Sequence, residues 1–204
     1  GTDPRARGGY FVVDPFDDAS FASRGVRDVL RGFGAPGRGR GVWSGTFGGP
    51  PPKSSAVLEK LGSVDAFLYV GHGKDAQFLL QESRLQMGTP CPAVDGIAGM
   101  RHRPLQSVVF LMGCSSAKSQ RAAGWDHEYF GLPADVLVGG GPALVGTLWD
   151  VLGGDLDHYA CALLCAWVGE KGPVNMTTAL RSARAACRLP FLTGAAVVCY
   201  GIPM

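Results

Sequence analysis

The sequence predicts an α/β domain, a mainly parallel sheet flanked by helices on both faces, and three observations predict it. Residues Ala66–Val70, Val108–Met112 and Ala143–Trp149 are short, nearly continuous apolar runs, the pattern of strands buried on both faces. Segments with apolar residues at helical spacing alternate with those runs, as repeated β-α-β units require. Two of the runs stop abruptly at glycine-flanked polar residues, Gly71-His72-Gly73 and Gly113-Cys114-Ser115-Ser116, and in such sheets chemistry gathers at the carboxyl ends of the strands.

Taken in order, Tyr10–Val13 reads as a strand, and Ala19–Phe33 as a helix because Phe21, Val26, Val29, Leu30 and Phe33 recur at helical spacing. Gly34–Gly41 is a Gly/Pro/Arg loop, and Val42–Phe47 a strand. Ser54 or Ser55 is expected to cap a helix that Gly62 ends. After the buried run to Val70, Gln77–Leu80 is a short strand and Glu82–Pro104 an irregular excursion. Pro133 suits the first turn of a helix through Val138, because proline there gives up an amide that would have no partner anyway. Leu156–Val168 is a strongly apolar helix, Met176–Cys187 a last helix and Ala195–Tyr200 a final strand.

Composition narrows the function classes. A chain of 204 residues, 46% hydrophobic and 18% charged, holds one full core, so residues 1–204 are expected to form a single domain. The start at Gly1 rather than methionine is expected of a piece of a larger polypeptide. A net charge of +2 with no basic run beyond the Arg38, Arg40 pair argues against direct nucleic-acid binding. No apolar run approaches the roughly 20 residues of a membrane helix. Cys91, Cys114, Cys161, Cys165, Cys187 and Cys199 stand without a signal peptide and often in apolar stretches, which points to reduced thiols in a reducing compartment.

A thiol nucleophile needs a histidine to move its proton and backbone amides to hold the oxyanion. His72 and Cys114 supply the pair, and the amides of Gly73 and Cys114 are the expected oxyanion donors. Either residue alone would more often be structural; their joint occurrence at one sheet edge, each beside glycine, favours chemistry. His72 precedes Cys114 by 42 residues, the caspase-like chain order and the reverse of the papain-like one.

The segments Phe67-Leu-Tyr-Val-Gly-His-Gly73, Phe110-Leu-Met-Gly-Cys-Ser-Ser116, Pro142-Ala-Leu-Val-Gly-Thr-Leu-Trp-Asp-Val151 and Gly194-Ala-Ala-Val-Val-Cys-Tyr-Gly-Ile-Pro203 resemble the successive signature blocks of the separase family, in the family's order. The resemblance implies a caspase-like fold and a cysteine endopeptidase, with His72 as general base and Cys114 as nucleophile, that cuts the kleisin subunit of cohesin after arginine at anaphase. It further implies the C-terminal protease domain of a larger protein, the inhibitory partner securin, and action in cytoplasm and nucleus, at chromosomes and spindle poles. It implies no metal or organic cofactor.

An arginine at the cleavage position needs a carboxylate, since a planar guanidinium is best held by charge-assisted hydrogen bonds. Asp150 is the first choice, with Trp149 as an aromatic wall; Asp157 and Asp155 are rivals, Asp155 also being suited to cap the helix from Leu156. Two alternatives stand beside this reading: another caspase-like protease attached to helical repeats, and a pseudoprotease that serves as a docking module. Cys161 and Cys165, spaced i, i+4, read as core rather than zinc ligands. His102, His127 and His158 carry no assigned role, and Arg181, Arg184 and Arg188 read as a solvated helix face.

Overall fold

A computed structural model describes residues 8–16, 24–33, 41–74, 76, 105–121, 129–168 and 175–202. In chain order the elements are β1 (Gly9–Val13), α1 (Arg24–Phe33), β2 (Trp43–Phe47), α2 (Ser54–Leu61), β3 (Ala66–Val70), β4 (Val108–Met112), β5 (Gln120–Arg121) and β6 (Tyr129–Phe130). They continue with α3 (Leu132–Val138), β7 (Ala143–Thr147), α4 (Gly153–Val168), α5 (Met176–Arg184), α6 (Thr193–Ala196) and β8 (Val197–Gly201). Six strands form one sheet in the order β2-β1-β3-β4-β7-β8, parallel throughout except for β8, which runs antiparallel to β7. The mainly parallel sheet expected from the apolar runs is what the chain forms.

Those runs are apolar because alternate residues enter two different cores. From β3, Ala66, Leu68 and Val70 join the core beneath α1, α4 and α5, while Phe67 and Tyr69 join a second core on the opposite face with Val57 and Leu61 of α2 and Leu132 and Val136 of α3. A strand with only one buried face would show a polar residue at every second position. The helices meet the sheet through stripes at helical spacing: Val26, Leu30 and Phe33 in α1, and Leu156, Tyr159, Ala160, Leu163, Leu164, Trp167 and Val168 in α4. Phe110 packs edge-on against Trp167 with ring centroids 5.0 Å apart. The hydroxyl of buried Tyr159 donates to the Leu180 carbonyl at 3.0 Å, tying α4 to α5, and Asn175 caps α5 by accepting from the Thr177 amide at 2.8 Å.

Several boundaries differ from the sequence expectation. Ser54 is the first helical residue of α2, with Lys53 at the cap position and no side-chain cap there. Strand β7 stops at Thr147, two residues early, because the chain turns away to other partners: the Leu148 amide donates to Ala196 and the Trp149 carbonyl accepts from Ser115. Helix α4 begins at Gly153, since the Leu152 carbonyl already accepts from the Asp155 and Leu156 amides, so Asp155 lies inside the first turn rather than capping it. Helix α5 ends at Arg184, and the last strand starts at Val197 after the short α6. Cys161 packs at the margin of the core, but Cys165, one turn further along, is exposed. The expected Gln77–Leu80 strand, the 82–104 excursion, the first residues of the 19–33 helix, and Arg38, Arg40, Cys91, His102 and His127 lie outside the described residues.

Phe110 is wholly buried between the sheet and Trp167. Phe110→Ala is expected to lower the unfolding free energy by about 3–5 kcal/mol, read as a lower urea midpoint at unchanged slope.

Candidate active site

Strands β3 and β4 are hydrogen-bonded neighbours in parallel register, Val70 beside Met112, so the turns that follow them leave the sheet side by side. His72 stands on the first turn and Cys114 on the second, and both line one cleft of about 290 Å³. Val70, Met112, Leu152, Leu156 and Asp157 also contribute to its walls. Among the described residues the cleft wall is thus largely apolar, with His72, Cys114 and Asp157 as its ionisable groups.

The two turns meet backbone to backbone. A Cβ at Gly73 would fall onto the carbonyl oxygen of Cys114, and one at Gly113 would lie 2.7 Å from the Gly71 carbonyl oxygen and 2.9 Å from the Gly73 amide nitrogen. Glycine is therefore required at both positions, and it lets the backbones of Gly73 and Cys114, whose amides are the expected oxyanion donors, pack directly against each other. The histidine turn is held from below by Tyr69, whose ring is buried in the second core and whose hydroxyl donates to the His72 carbonyl at 2.9 Å.

The cysteine turn is fastened to the end of β7. The Thr147 hydroxyl donates to the Gly113 carbonyl at 2.6 Å, and the Ser116 hydroxyl donates to the Leu111 carbonyl at 2.6 Å while accepting from the Thr147 amide at 3.1 Å. Both hydroxyls are buried, where a hydrogen bond is stronger and its loss more costly than at the surface. Ser115 adopts a left-handed φ of 53°, uncommon for a residue with a side chain, and its hydroxyl donates to Asp150 at 2.7 Å. The Cys114 thiol points into the cleft and donates to the Val151 carbonyl at 3.3 Å. Sequence reasoning missed Tyr69, Thr147 and Ser116 as supports of the site. The one available signal was polarity: Thr147 is a hydroxyl in an otherwise apolar strand.

The three aspartates that follow β7 have separate fates. Asp150 is exposed and engaged by Ser115, and neither it nor Trp149 lines the cleft; the Trp149 indole donates to the Leu192 carbonyl at 3.2 Å. Asp155 is buried and accepts from the amides of Arg188 and Leu189 at 2.6 and 3.1 Å. Burial alone would raise its pKa, but these donors outweigh it and hold the carboxyl below its ordinary value. Asp157 is half-buried and lines the cleft with Cys114. Burial raises its pKa against the pull of the Gly25 and Val26 amides at the start of α1, and among the described residues its buried Oδ1 has no hydrogen-bond partner. Its neighbour His158 is exposed on α4.

Among the described residues, no three His, Cys, Asp or Glu side chains are placed to hold a metal ion, and no helix is long and apolar enough to cross a membrane.

A mainly parallel sheet with histidine and cysteine on adjacent strand ends defines a caspase-like fold, and comparisons with known proteins place it more closely. Residues 2–156 match the family described as the separin protease domain, and the chain belongs to that family. Separin of Emericella nidulans is 35% identical over 209 residues, covering 97% of this chain and 9% of that protein. Separin of Mus musculus is 31% identical over 204 residues, covering 100% of this chain and 8% of that protein. The chain thus spans less than a tenth of the length of these curated relatives. The crystal structure of the Saccharomyces cerevisiae separase–securin complex at 2.6 Å superposes with a TM-score of 0.71 at 23% identity, covering 98% of this chain and 12% of that one.

Gly73→Ala is expected to force the histidine and cysteine turns apart. Misplacement of reacting groups by about 1 Å costs on the order of 100-fold. Peptide cleavage should therefore fall by about that factor, with a lowered thermal midpoint; unchanged turnover would show that the turns tolerate separation.

Proposed function

We propose that this chain is a cysteine endopeptidase in which His72 and Cys114 form the catalytic dyad and which cuts after arginine. The observation that carries the reading is that both side chains line one cleft from the ends of adjacent parallel strands. His72 takes the thiol proton, and the Cys114 sulfur attacks the scissile carbonyl. The carbonyl oxygen becomes an oxyanion beside the amides of Gly73 and Cys114. His72 then returns the proton to the leaving amine as the C–N bond breaks, and water, deprotonated by His72, releases the acyl group and regenerates the thiol.

Asp157 is the carboxylate we assign to the arginine. It lines the cleft that Cys114 lines, where a carboxylate can hold a guanidinium by charge-assisted hydrogen bonds. Asp150, the first choice from sequence, is engaged by Ser115 and better placed to brace the cysteine turn; Trp149 stands outside the cleft with it. Family membership supports the kleisin subunit of cohesin as substrate and securin as inhibitory partner, the latter because the yeast neighbour was solved as a complex with securin. It likewise supports a place as the protease domain of a longer protein acting in nucleus and cytoplasm during division.

Cleavage of a fluorogenic peptide with arginine before the scissile bond is expected to vanish in Cys114→Ser and His72→Ala. Asp157→Ala should lower kcat/KM for arginine by about 100-fold or more, as expected when one partner of a largely desolvated charge pair is removed. Asp150→Ala should lower turnover without changing the preference for arginine over alanine at that position. Equal cleavage by wild type and Cys114→Ser would rule out the mechanism.

The raised pKa of Asp157 also sets a pH dependence. Protonation removes the charge that holds the guanidinium, so binding of an arginyl peptide to Cys114→Ser should weaken as pH falls through a value above the ordinary carboxylate range. Titration calorimetry across pH should find this limb in Cys114→Ser and not in Cys114→Ser with Asp157→Asn.

A further inference from the structure

We infer that the exposed apolar surface beside the cleft, formed by Trp149, Leu152, Leu189, Phe191 and Leu192, is a subsite for apolar side chains of the peptide segment just before the cleaved arginine. The inference rests on the catalytic reading above and adds a substrate class to it. Single exposed leucines are ordinary on protein surfaces, whereas a contiguous apolar patch marks a site of interaction. Here five of the ten large apolar side chains exposed among the described residues fall on two short segments, and Phe191 is 94% exposed.

The two segments are fastened to each other. The Trp149 indole donates to the Leu192 carbonyl, Asp155 accepts the amides of Arg188 and Leu189, and the Thr193 amide donates to Leu189 at 2.8 Å. The main chain that displays these side chains is therefore held in place, which lowers the ordering cost of binding a peptide. Leu152 lines the cleft itself, so one end of the surface reaches the cleft wall.

The direction of the substrate follows from the proton transfer. His72 must give its proton to the leaving amine, so the half of the substrate after the scissile bond departs over the end of β3. The acyl half then runs from Cys114 the opposite way, and in the sheet order β3-β4-β7-β8 that way leads over the ends of β7 and β8. Trp149 and Leu152 follow β7, and Leu189–Leu192 lead through α6 into β8. With the arginine side chain in the cleft beside Asp157, the residues preceding it cross this surface.

The test compares two arginyl peptides on the full-length protein, one with leucine and one with serine at the two positions before arginine. The leucine peptide is expected to show kcat/KM about tenfold higher, the order of effect that covering one or two apolar side chains produces. That ratio should fall to within about twofold in Phe191→Ser/Leu192→Ser and in Leu152→Ser, two independent routes to the same loss. It should persist in Val42→Ser, which removes an exposed apolar side chain at the far end of the sheet. Arginine-dependent cleavage with no leucine preference in the wild type would overturn the subsite alone, and is the result expected if another part of the longer protein covers Phe191. A ratio retained in both subsite variants would also overturn it. Cleavage of neither peptide, with Cys114 unlabelled by an arginyl electrophile, would overturn the catalytic reading and the subsite together.

Discussion

Contact between two backbones, with no side chain between them, is the constraint on which the site depends. Because a Cβ at Gly73 would overlap Cys114 and one at Gly113 would crowd Gly71 and Gly73, the histidine and cysteine turns can approach only as glycine. That approach needs rigid supports on both sides. Tyr69 provides one from the core beneath α2 and α3, and Thr147 with Ser116 provides the other from the end of β7. Each support is a hydroxyl bonded to a main-chain carbonyl, so the turns are positioned by the sheet itself rather than by loop packing.

The early end of β7 has a structural purpose in this light. By leaving the sheet after Thr147, the chain frees the Trp149 carbonyl for Ser115 and brings the Val151 carbonyl to the Cys114 thiol. The same departure carries three aspartates past the site within eight residues, and environment alone differentiates them. Asp150 faces solvent and a serine hydroxyl, Asp155 meets two amides in the interior, and Asp157 meets the start of α1 and the open cleft. A carboxylate whose bonds are already satisfied in the interior is a structural acceptor; one that lines an open cleft is placed to meet a ligand.

The fold was legible where the physics is local. Continuous apolar runs at 66–70 and 108–112 announce strands buried on both faces, and the cores on either side of the sheet are the reason. Gly71-His72-Gly73 and Gly113-Cys114 were legible for a related reason: glycine flanking a polar side chain at a strand end signals close approach of the backbone. Element ends were less legible because distant partners set them, as when Ala196 and Ser115 draw residues 148 and 149 out of the sheet. Choosing among Asp150, Asp155 and Asp157 was not possible from spacing, since the amides of Arg188, Leu189, Gly25 and Val26 that distinguish them come from segments far away in sequence. Tyr69 was hidden for a different reason: within an apolar strand its ring reads as core, which it is, and its hydroxyl gains a role only through the turn that follows.

Asp155 connects these observations. Its carboxylate gathers the amides of Arg188 and Leu189 onto the first turn of α4, the same turn that presents Leu152 and Asp157 to the cleft. A buried carboxylate is costly unless such donors answer it, and here they more than do so, because its pKa lies below the ordinary value despite burial. The segment that displays Phe191 and the helix that displays Asp157 are thereby fixed to one another. One buried carboxylate thus ties the helix that walls the cleft to the segment that leads into β8.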